Sequence, residues 1–282
     1  MHNSYRPELA KITGISWQTN NIKLFRFEFN RKVWGHNLKI KPGQFMELSL
    51  PGFGEAPFAP CNAVDNGHIE LCIRSAGRLT EKLHSMKVGD QVGLRGPYGN
   101  GWPSLAGPNP AQRSGQTNRQ NLLIVVGGLG FVPLRTLILG KEKFLGKESK
   151  VQIFYGARSP DDMLFRHEYN RWKKQNIEVN LTIDKESPNW QGNTGLVTSL
   201  FDKVTLNENS IAFLCGPPVM YQPVLEKLLA RQFKEDEIFL SLERRMHCGV
   251  GVCQHCAVGP YYTCKHGPIF SWAQLKNIPS AI

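Results

Sequence analysis

Residues 122–135 read Leu122-Leu123-Ile124-Val125-Val126-Gly127-Gly128-Leu129-Gly130-Phe131-Val132-Pro133-Leu134-Arg135. The first five are apolar and mostly β-branched, with no polar face, as expected of a strand buried on both sides. The run is too short to cross a bilayer. Glycines end it, and a glycine turn lets backbone approach an anion closely. Pro133 suits the first turn of a helix, and Leu134, Leu137, Ile138 and Leu145 recur at helical spacing. Strand, glycine turn and helix together make the opening unit of a nucleotide-binding α/β domain, whose helix N-terminus presents N–H groups to a pyrophosphate. The pattern is G-x-G-x-x-P rather than G-x-G-x-x-G, so by itself it also reads as a tight strand–helix corner.

Further apolar runs at 151–155, 179–183 and 211–215 alternate with helical stretches, one of which carries Val219, Val224, Leu225, Leu228 and Leu229. Short continuous strands between helices predict a parallel sheet covered on both faces. The last strand of this region is 238–242. A second glycine turn, Cys215-Gly216-Pro217-Pro218-Val219-Met220, follows the 211–215 strand and opens a helix. Two such turns at the carboxyl edge of one sheet mark where ligands collect, although Gly-Pro-Pro alone is an ordinary helix start. The α/β domain is read as 121–241.

Upstream, residues 1–101 are β-rich. Phe25, Phe27 and Phe29 alternate with Arg26 and Glu28, and Ile69, Leu71 and Ile73 with Glu70, Cys72 and Arg74. Period-two alternation predicts half-buried strands. Lys41-Pro42-Gly43, Asp65-Asn66-Gly67 and Val88-Gly89-Asp90 supply turns, and the whole suggests a small antiparallel barrel. Residues 102–120, rich in Pro, Gly, Asn and Gln, read as a loop or linker.

Downstream, 242–282 holds Cys248-Gly249-Val250-Gly251-Val252-Cys253-Gln254-His255-Cys256, with Cys264 beyond, a C-x4-C-x2-C-x7-C spacing. Its first three members match the ligands of a plant-type [2Fe–2S] cluster. Gly249 and Gly251 can take positive φ, so that backbone N–H groups turn toward the sulfurs. Arg244, Arg245, Lys265 and His266 flank the loop and offset negative charge. Structural zinc is the alternative, since Cys253 and Cys256 form a zinc-like pair near His247, His255 and His266. Disulfides are disfavoured, because seven cysteines is an odd number, the chain is not small, and no secretory signal is seen. Cys72 reads as core, and Cys61 and Cys215 sit beside loop motifs.

At 282 residues with 41% hydrophobic content, the chain is long enough for one large or two modest folded domains. The net charge of +11 is spread along the sequence without a dense basic run or a nucleic-acid module, which argues against nucleic acid as partner. Anionic cofactors and an acidic protein partner suit it better. The N-terminus lacks an apolar leader, so a cytoplasmic, reducing location is expected.

In these pieces the chain resembles the ferredoxin–NADP reductase superfamily. It is most similar to iron–sulfur flavoprotein electron-transfer subunits: the gamma subunit of cytoplasmic nickel–iron hydrogenases, and the electron-transfer subunits of anaerobic sulfite reductase and of dihydroorotate dehydrogenase. The residues that carry the resemblance are Gly54-Glu55-Ala56-Pro57-Phe58, Ile73-Arg74, Gly77-Arg78-Leu79-Thr80, Gly96-Pro97-Tyr98-Gly99, the 127–135 turn, Tyr155-Gly156-Ala157-Arg158, the 215–220 turn, and Glu243-Arg244-Arg245-Met246 running into the cysteines. The Glu-Arg-Arg-Met lead-in and the ending Gly267-Pro268-Ile269-Phe270 resemble the hydrogenase and sulfite reductase subunits most.

The resemblance implies a β-barrel plus α/β architecture: an antiparallel FAD-binding barrel, a parallel-sheet NAD(P)-binding domain and a small C-terminal [2Fe–2S] lobe. It implies Pro57, Phe58, Ala59, Pro60, Asn62, Ile73 and Arg74 beside the isoalloxazine and ribityl chain, with Gly77 and Thr80 at the FAD pyrophosphate. It places Gly128 and Gly130 at the NAD(P)H pyrophosphate, and Cys215, Gly216 and Pro217 on the nicotinamide side. Cys248, Cys253, Cys256 and Cys264 would hold the cluster. The first flavin motif departs from the family pattern: where relatives carry Arg and a hydroxyl residue, this chain has Ala56 to Cys61 with neither, and Arg74 is the nearby substitute.

The expected role is conversion of the two electrons of a hydride into single electrons, from NAD(P)H through FAD to [2Fe–2S] and a partner catalytic subunit with further iron–sulfur centres, or the reverse. No side chain is required as general acid or base. Glu243 is expected to pair with Arg244 or Arg245. No acidic residue ends the 151–155 strand, and Arg158 and Ser159 follow it, which leans toward NADPH. A hydrogenase or sulfite reductase partner is favoured; dihydroorotate dehydrogenase and electron-bifurcating complexes are alternatives within the class. A non-catalytic, zinc-containing docking subunit is the alternative outside it.

Overall fold

A computed structural model describes residues 4–30, 38–62, 67–105, 121–146 and 148–282. Asp65, Asn66 and most of the expected linker, 106–120, lie outside them. The chain divides into two compact units, one comprising Met1–Trp102, Val132–Leu139 and Glu243–Ile269, the other Pro103–Phe131, Gly140–Leu242 and Phe270–Ile282. The segment expected as a separate lobe, 242–282, is therefore shared: the cysteines group with the barrel strands, and the last residues with the parallel sheet.

In the first unit, β1 (Glu8–Thr19), β2 (Ile22–Phe29), β3 (Phe45–Leu50), β4 (Gly54–Phe58), β5 (His68–Arg74) and β6 (Gln91–Tyr98) form a six-stranded sheet in the order β4-β3-β6-β1-β2-β5. The pairings within it are antiparallel. Just past edge strand β4, Pro60 bridges Leu71 of edge strand β5, which brings the two edges together and makes the sheet a barrel. Alternation works as expected in β2, where Phe25, Phe27 and Phe29 are buried and Arg26 and Glu28 are exposed. Ile12, Met46, Leu48, Ile69, Leu71, Val92 and Leu94 complete the core. Helix Arg78–Ser85 joins it through Leu79 and Leu83.

Strand β3 is buried on both faces. Met46, Leu48 and Leu50 point into the barrel core, while Phe45 packs against Met246, Cys256 and Cys264. Glu47, on the same face as Phe45, is 1% exposed. The barrel's outer wall is thus the inner floor of the cysteine segment.

The second unit is built on β7 (Asn121–Gly127), β8 (Val151–Ala157), β9 (Ile177–Ile183), β10 (Asn193–Thr194), β11 (Ser210–Cys215) and β12 (Ile238–Ser241). The cysteine segment then contributes a small antiparallel pair, β13 (Ala257–Val258) and β14 (Tyr261–Tyr262), before β15 (Ile269–Ser271) returns to the large sheet. Its order is β10-β9-β8-β7-β11-β12-β15. The pairs from β10 through β12 are parallel. The chain winds outward from β7 to β10, then returns to place β11 on the other side of β7. The direction of winding therefore reverses between β7 and β11, which is where an open parallel sheet leaves a crevice outside its carboxyl ends. Phe131, just past the glycine turn, lies 4.7 Å from the Tyr155 ring and 5.5 Å from Trp172, anchoring the turn in the core.

Helix Pro218–Leu229 follows β11. Its buried stripe is Tyr221, Val224, Leu225 and Leu228, an i, i+3, i+4, i+7 set. Val219 and Leu229 lie off that stripe and are 81% and 40% exposed, so they do not belong to the packed face expected of them.

Candidate cofactor sites

The cysteine loop is organised by its glycines. Gly249 and Gly251 have φ of +74° and +76°, the conformation their lack of a side chain permits. The turns they make aim backbone donors inward. Val250, Val252 and Cys253 donate N–H to the Cys248 sulfur at 3.4, 3.4 and 3.5 Å, Gly251 to the Cys264 sulfur at 3.1 Å, and Cys264 to the Cys256 sulfur at 3.4 Å. Helix Thr263–His266 carries Cys264 and is tied down by the Thr263 hydroxyl, which donates to the Cys256 carbonyl at 2.9 Å.

The four sulfurs fall into two pairs. Cys253 meets the Cys248 thiol with both its backbone and its side chain, and Cys264 interacts with the side chain of Cys256. Burial pushes the Cys248 thiol up, but the N–H groups of Cys253, Val250 and Val252 outweigh it and bring its pKa to about 6. Burial, then the neighbouring Cys256, pushes Cys264 up to about 12. Among the described residues no three His, Cys, Asp or Glu side chains converge as they would on one ion. Two thiolate pairs with sulfur-directed N–H groups fit a cluster of two irons, and suit a single tetrahedral zinc poorly.

At the predicted flavin positions, Pro57 and Phe58 lie on β4 opposite Glu47 and Met46. Asn62 is buried and its amide is committed to backbone: its carbonyl oxygen accepts from Glu70 N–H at 2.7 Å, and its NH2 donates to His68 O at 3.1 Å. The 60–62 segment is held from helix Val132–Leu139, where Arg135 donates to Cys61 O at 2.7 Å and Thr136 to Pro60 O at 2.9 Å. Ile73 is fully buried at the end of β5, and Arg74 beside it is exposed. Gly77 precedes helix Arg78–Ser85. Thr80 closes the first turn, its hydroxyl donating to Gly77 O at 2.9 Å and accepting from Ala76 N–H at 2.9 Å. The first N–H groups of such a helix have no intrahelical partner.

The two glycine turns lie side by side at the ends of adjacent strands β7 and β11. Gly128 has φ +53° and opens onto space: a Cβ there would meet nothing within 4 Å. A Cβ on Gly130 would stand 2.0 Å from Cys215 O, and one on Gly127 would stand 3.0 Å from the Pro217 ring. Cys215 is buried, and Gly216 and Pro217 lead into helix Pro218–Leu229. Arg158 follows β8 and is exposed, while the Ser159 hydroxyl donates to Asp162 at 2.8 Å. Arg244 donates to the Glu243 backbone carbonyl at 2.9 Å.

Family models match the chain in three places: the oxidoreductase FAD-binding domain over 8–102, the oxidoreductase NAD-binding domain over 124–226, and the iron–sulfur cluster binding domain of dihydroorotate dehydrogenase B over 243–276. The chain is 39% identical to the sulfhydrogenase 2 subunit gamma of Pyrococcus furiosus, over 89% of this chain and 88% of that one. It belongs to this family of iron–sulfur flavoprotein electron-transfer subunits. Other members include the sulfhydrogenase 1 subunit gamma of the same organism, 35% identical over 89% of this chain and 84% of that one. The probable dihydroorotate dehydrogenase B electron transfer subunit of Pyrococcus abyssi is 35% identical over 93% and 89%. The fold is shared with the NADH-dependent reduced ferredoxin-NADP oxidoreductase, with a TM-score of 0.73 at 22% identity, covering 98% of this chain and 93% of that one.

As an electron-transfer subunit of this family, the chain is an NAD(P)H-dependent flavin oxidoreductase component with FAD-binding and iron–sulfur domains. No helix among the described residues is long and apolar enough to cross a membrane. The resemblance read from the motifs and the barrel plus parallel-sheet architecture both stand. Sequence reasoning does not find Arg135, which bonds Glu70 at 3.1 Å, or Arg95, which meets the cysteine loop. Both act at long range in sequence, and no local pattern marks them.

Proposed function

We propose that the chain carries electrons between NAD(P)H, FAD and a [2Fe–2S] cluster held by Cys248, Cys253, Cys256 and Cys264, and exchanges them with a catalytic subunit of hydrogenase or sulfite reductase type. The observation that carries this reading is the two sulfur pairs supplied with backbone N–H groups on the barrel's outer wall. When bound, the flavin takes a hydride's two electrons and releases them singly.

The protein's own work is binding and orientation. Gly128 offers an open positive-φ turn to a pyrophosphate, and Gly130 keeps the turn pressed to Cys215. The first turn of helix Arg78–Ser85 offers N–H groups to the second pyrophosphate, with Arg74 and Arg78 as nearby cations. Exposed Arg158 is the contact proposed for a 2′-phosphate; replacing it by Ala should lower kcat/KM for NADPH and spare NADH. Equal loss with both nucleotides would remove that assignment. The hydrogenase or sulfite reductase partner is favoured by the Glu243–Met246 lead-in and by sulfhydrogenase gamma subunits among the relatives. All seven cysteines are free, consistent with a reducing, cytoplasmic setting.

The test is Cys253→Ser. NAD(P)H-driven bleaching of the flavin should persist, while electron delivery to a one-electron protein acceptor is lost. Undiminished delivery in that variant would contradict the route.

A further inference from the structure

We propose that Arg95, on barrel strand β6, positions the first cysteine of the cluster loop and sets how readily the cluster accepts an electron. This rests on the reading of Cys248 as a ligand. A guanidinium has five N–H donors, and here each has an acceptor. Nη1 donates to Cys248 O at 2.6 Å and to the Tyr98 hydroxyl at 3.2 Å. Nη2 donates to His247 O at 3.1 Å and to Glu55 Oε1. Nε donates to Glu55 Oε2 at 2.9 Å. The side chain is 5% exposed.

The barrel builds this arrangement from three strands. Arg95 of β6 is the register partner of Glu47 of β3, and reaches across β3 to Glu55 of β4. The loop closes over it tightly: a Cβ on Gly249 would lie 3.3 Å from Nη1 and 3.2 Å from the Tyr98 ring. Holding the Cys248 carbonyl outward leaves the following N–H groups turned toward the Cys248 sulfur. Lysine has the charge without the fork and cannot make this set.

The electrostatic consequence has a sign. Reduction adds a negative charge to an already negative cluster. A permanent cation at 5% exposure, bonded to a ligand's backbone, favours the reduced form, and the paired Glu55 opposes it. Removing Arg95 and removing Glu55 must therefore shift the cluster in opposite directions. A residue that merely braces the loop would shift both variants the same way or neither.

The experiment is an anaerobic redox titration of the full chain, reading the electron paramagnetic resonance of the reduced cluster against the flavin couple in the same sample. Arg95→Gln should lower the one-electron reduction equilibrium constant about tenfold, a midpoint 59 mV lower. Arg95→Lys should lower it less, and Glu55→Gln should raise it. If Arg95→Gln fails to hold a cluster, Arg95→Lys and Glu55→Gln carry the test alone. Shifts of the same sign, or none in Glu55→Gln, would overturn the proposal. A wild-type chain without any such signal would instead overturn the assignment of the four cysteines, and this inference with it.

Discussion

Gly130 and Cys215 meet backbone to backbone: a Cβ on Gly130 would lie 2.0 Å from the Cys215 carbonyl oxygen. The two glycine turns are one structure, and the first cannot take a side chain without pushing the second away. Gly130→Ala should destabilise the protein by roughly 1–3 kcal/mol and weaken NAD(P)H binding. Gly128→Ala meets no neighbour and carries only positive-φ strain of about 1 kcal/mol. It should weaken nucleotide binding while barely moving the melting temperature. Thermal unfolding and nucleotide titration of both variants check the contrast.

Glu70 sits between two arginines, bonded to Arg26 at 2.8 Å and Arg135 at 3.1 Å, with Glu70 and Arg135 both nearly buried. Burial would raise its pKa, yet hydrogen bonds from Arg26 and Arg135 bring it below the ordinary value. Arg135→Met leaves a buried carboxylate short of a partner and should cost about 3 kcal/mol by denaturant unfolding. A folded pKa below the unfolded one adds stability above the unfolded value, and that stability is lost as pH falls through the folded one. The variant should therefore show a shallower loss of stability on acidification. An unchanged acid limb would contradict the pairing.

Glu47 behaves in the opposite sense. It is 1% exposed, and its Oε1 is a buried oxygen without a hydrogen-bond partner. Burial, then Glu55, raises its pKa from 4.5 to about 7 against the pull of Arg95. Between those values the unfolded chain has lost a proton that the folded chain keeps, so stability falls as pH rises from 4.5 to 7. Glu47→Gln should flatten that slope and stabilise the protein at pH 8 by up to about 3 kcal/mol. A variant less stable than wild type at pH 8 would show that the carboxylate is needed there.

Much of this is legible in sequence because the relevant signals are local. Phe25, Phe27 and Phe29 alternate because one face of β2 is solvent; 122–126 does not because β7 has none. Gly249 and Gly251 announce their positive φ. Strand β3 is not legible in the same way. Phe-Met-Glu-Leu-Ser-Leu is buried on both faces, one by the barrel and one by residues some 200 positions later, and only the second explains why Glu47 and Phe45 are inside. The division of the sulfurs into Cys248 with Cys253 and Cys256 with Cys264 also follows from folding rather than spacing. Arg95 and Cys248 are 153 residues apart, so their bond leaves no trace in any window of sequence. Val219 and Leu229 depart from expectation because apolar character alone does not fix a residue's angle around the helix.

The central claim is that these four cysteines hold a two-iron cluster that receives electrons from NAD(P)H through a flavin. Metal, sulfide and flavin analysis of the anaerobically purified chain, with paramagnetic resonance after adding NADPH or NADH, tests it most directly. The account predicts iron with matching acid-labile sulfide, a bound yellow chromophore, and a [2Fe–2S] signal that appears on reduction. A colourless protein carrying zinc, silent after either nucleotide, would contradict it.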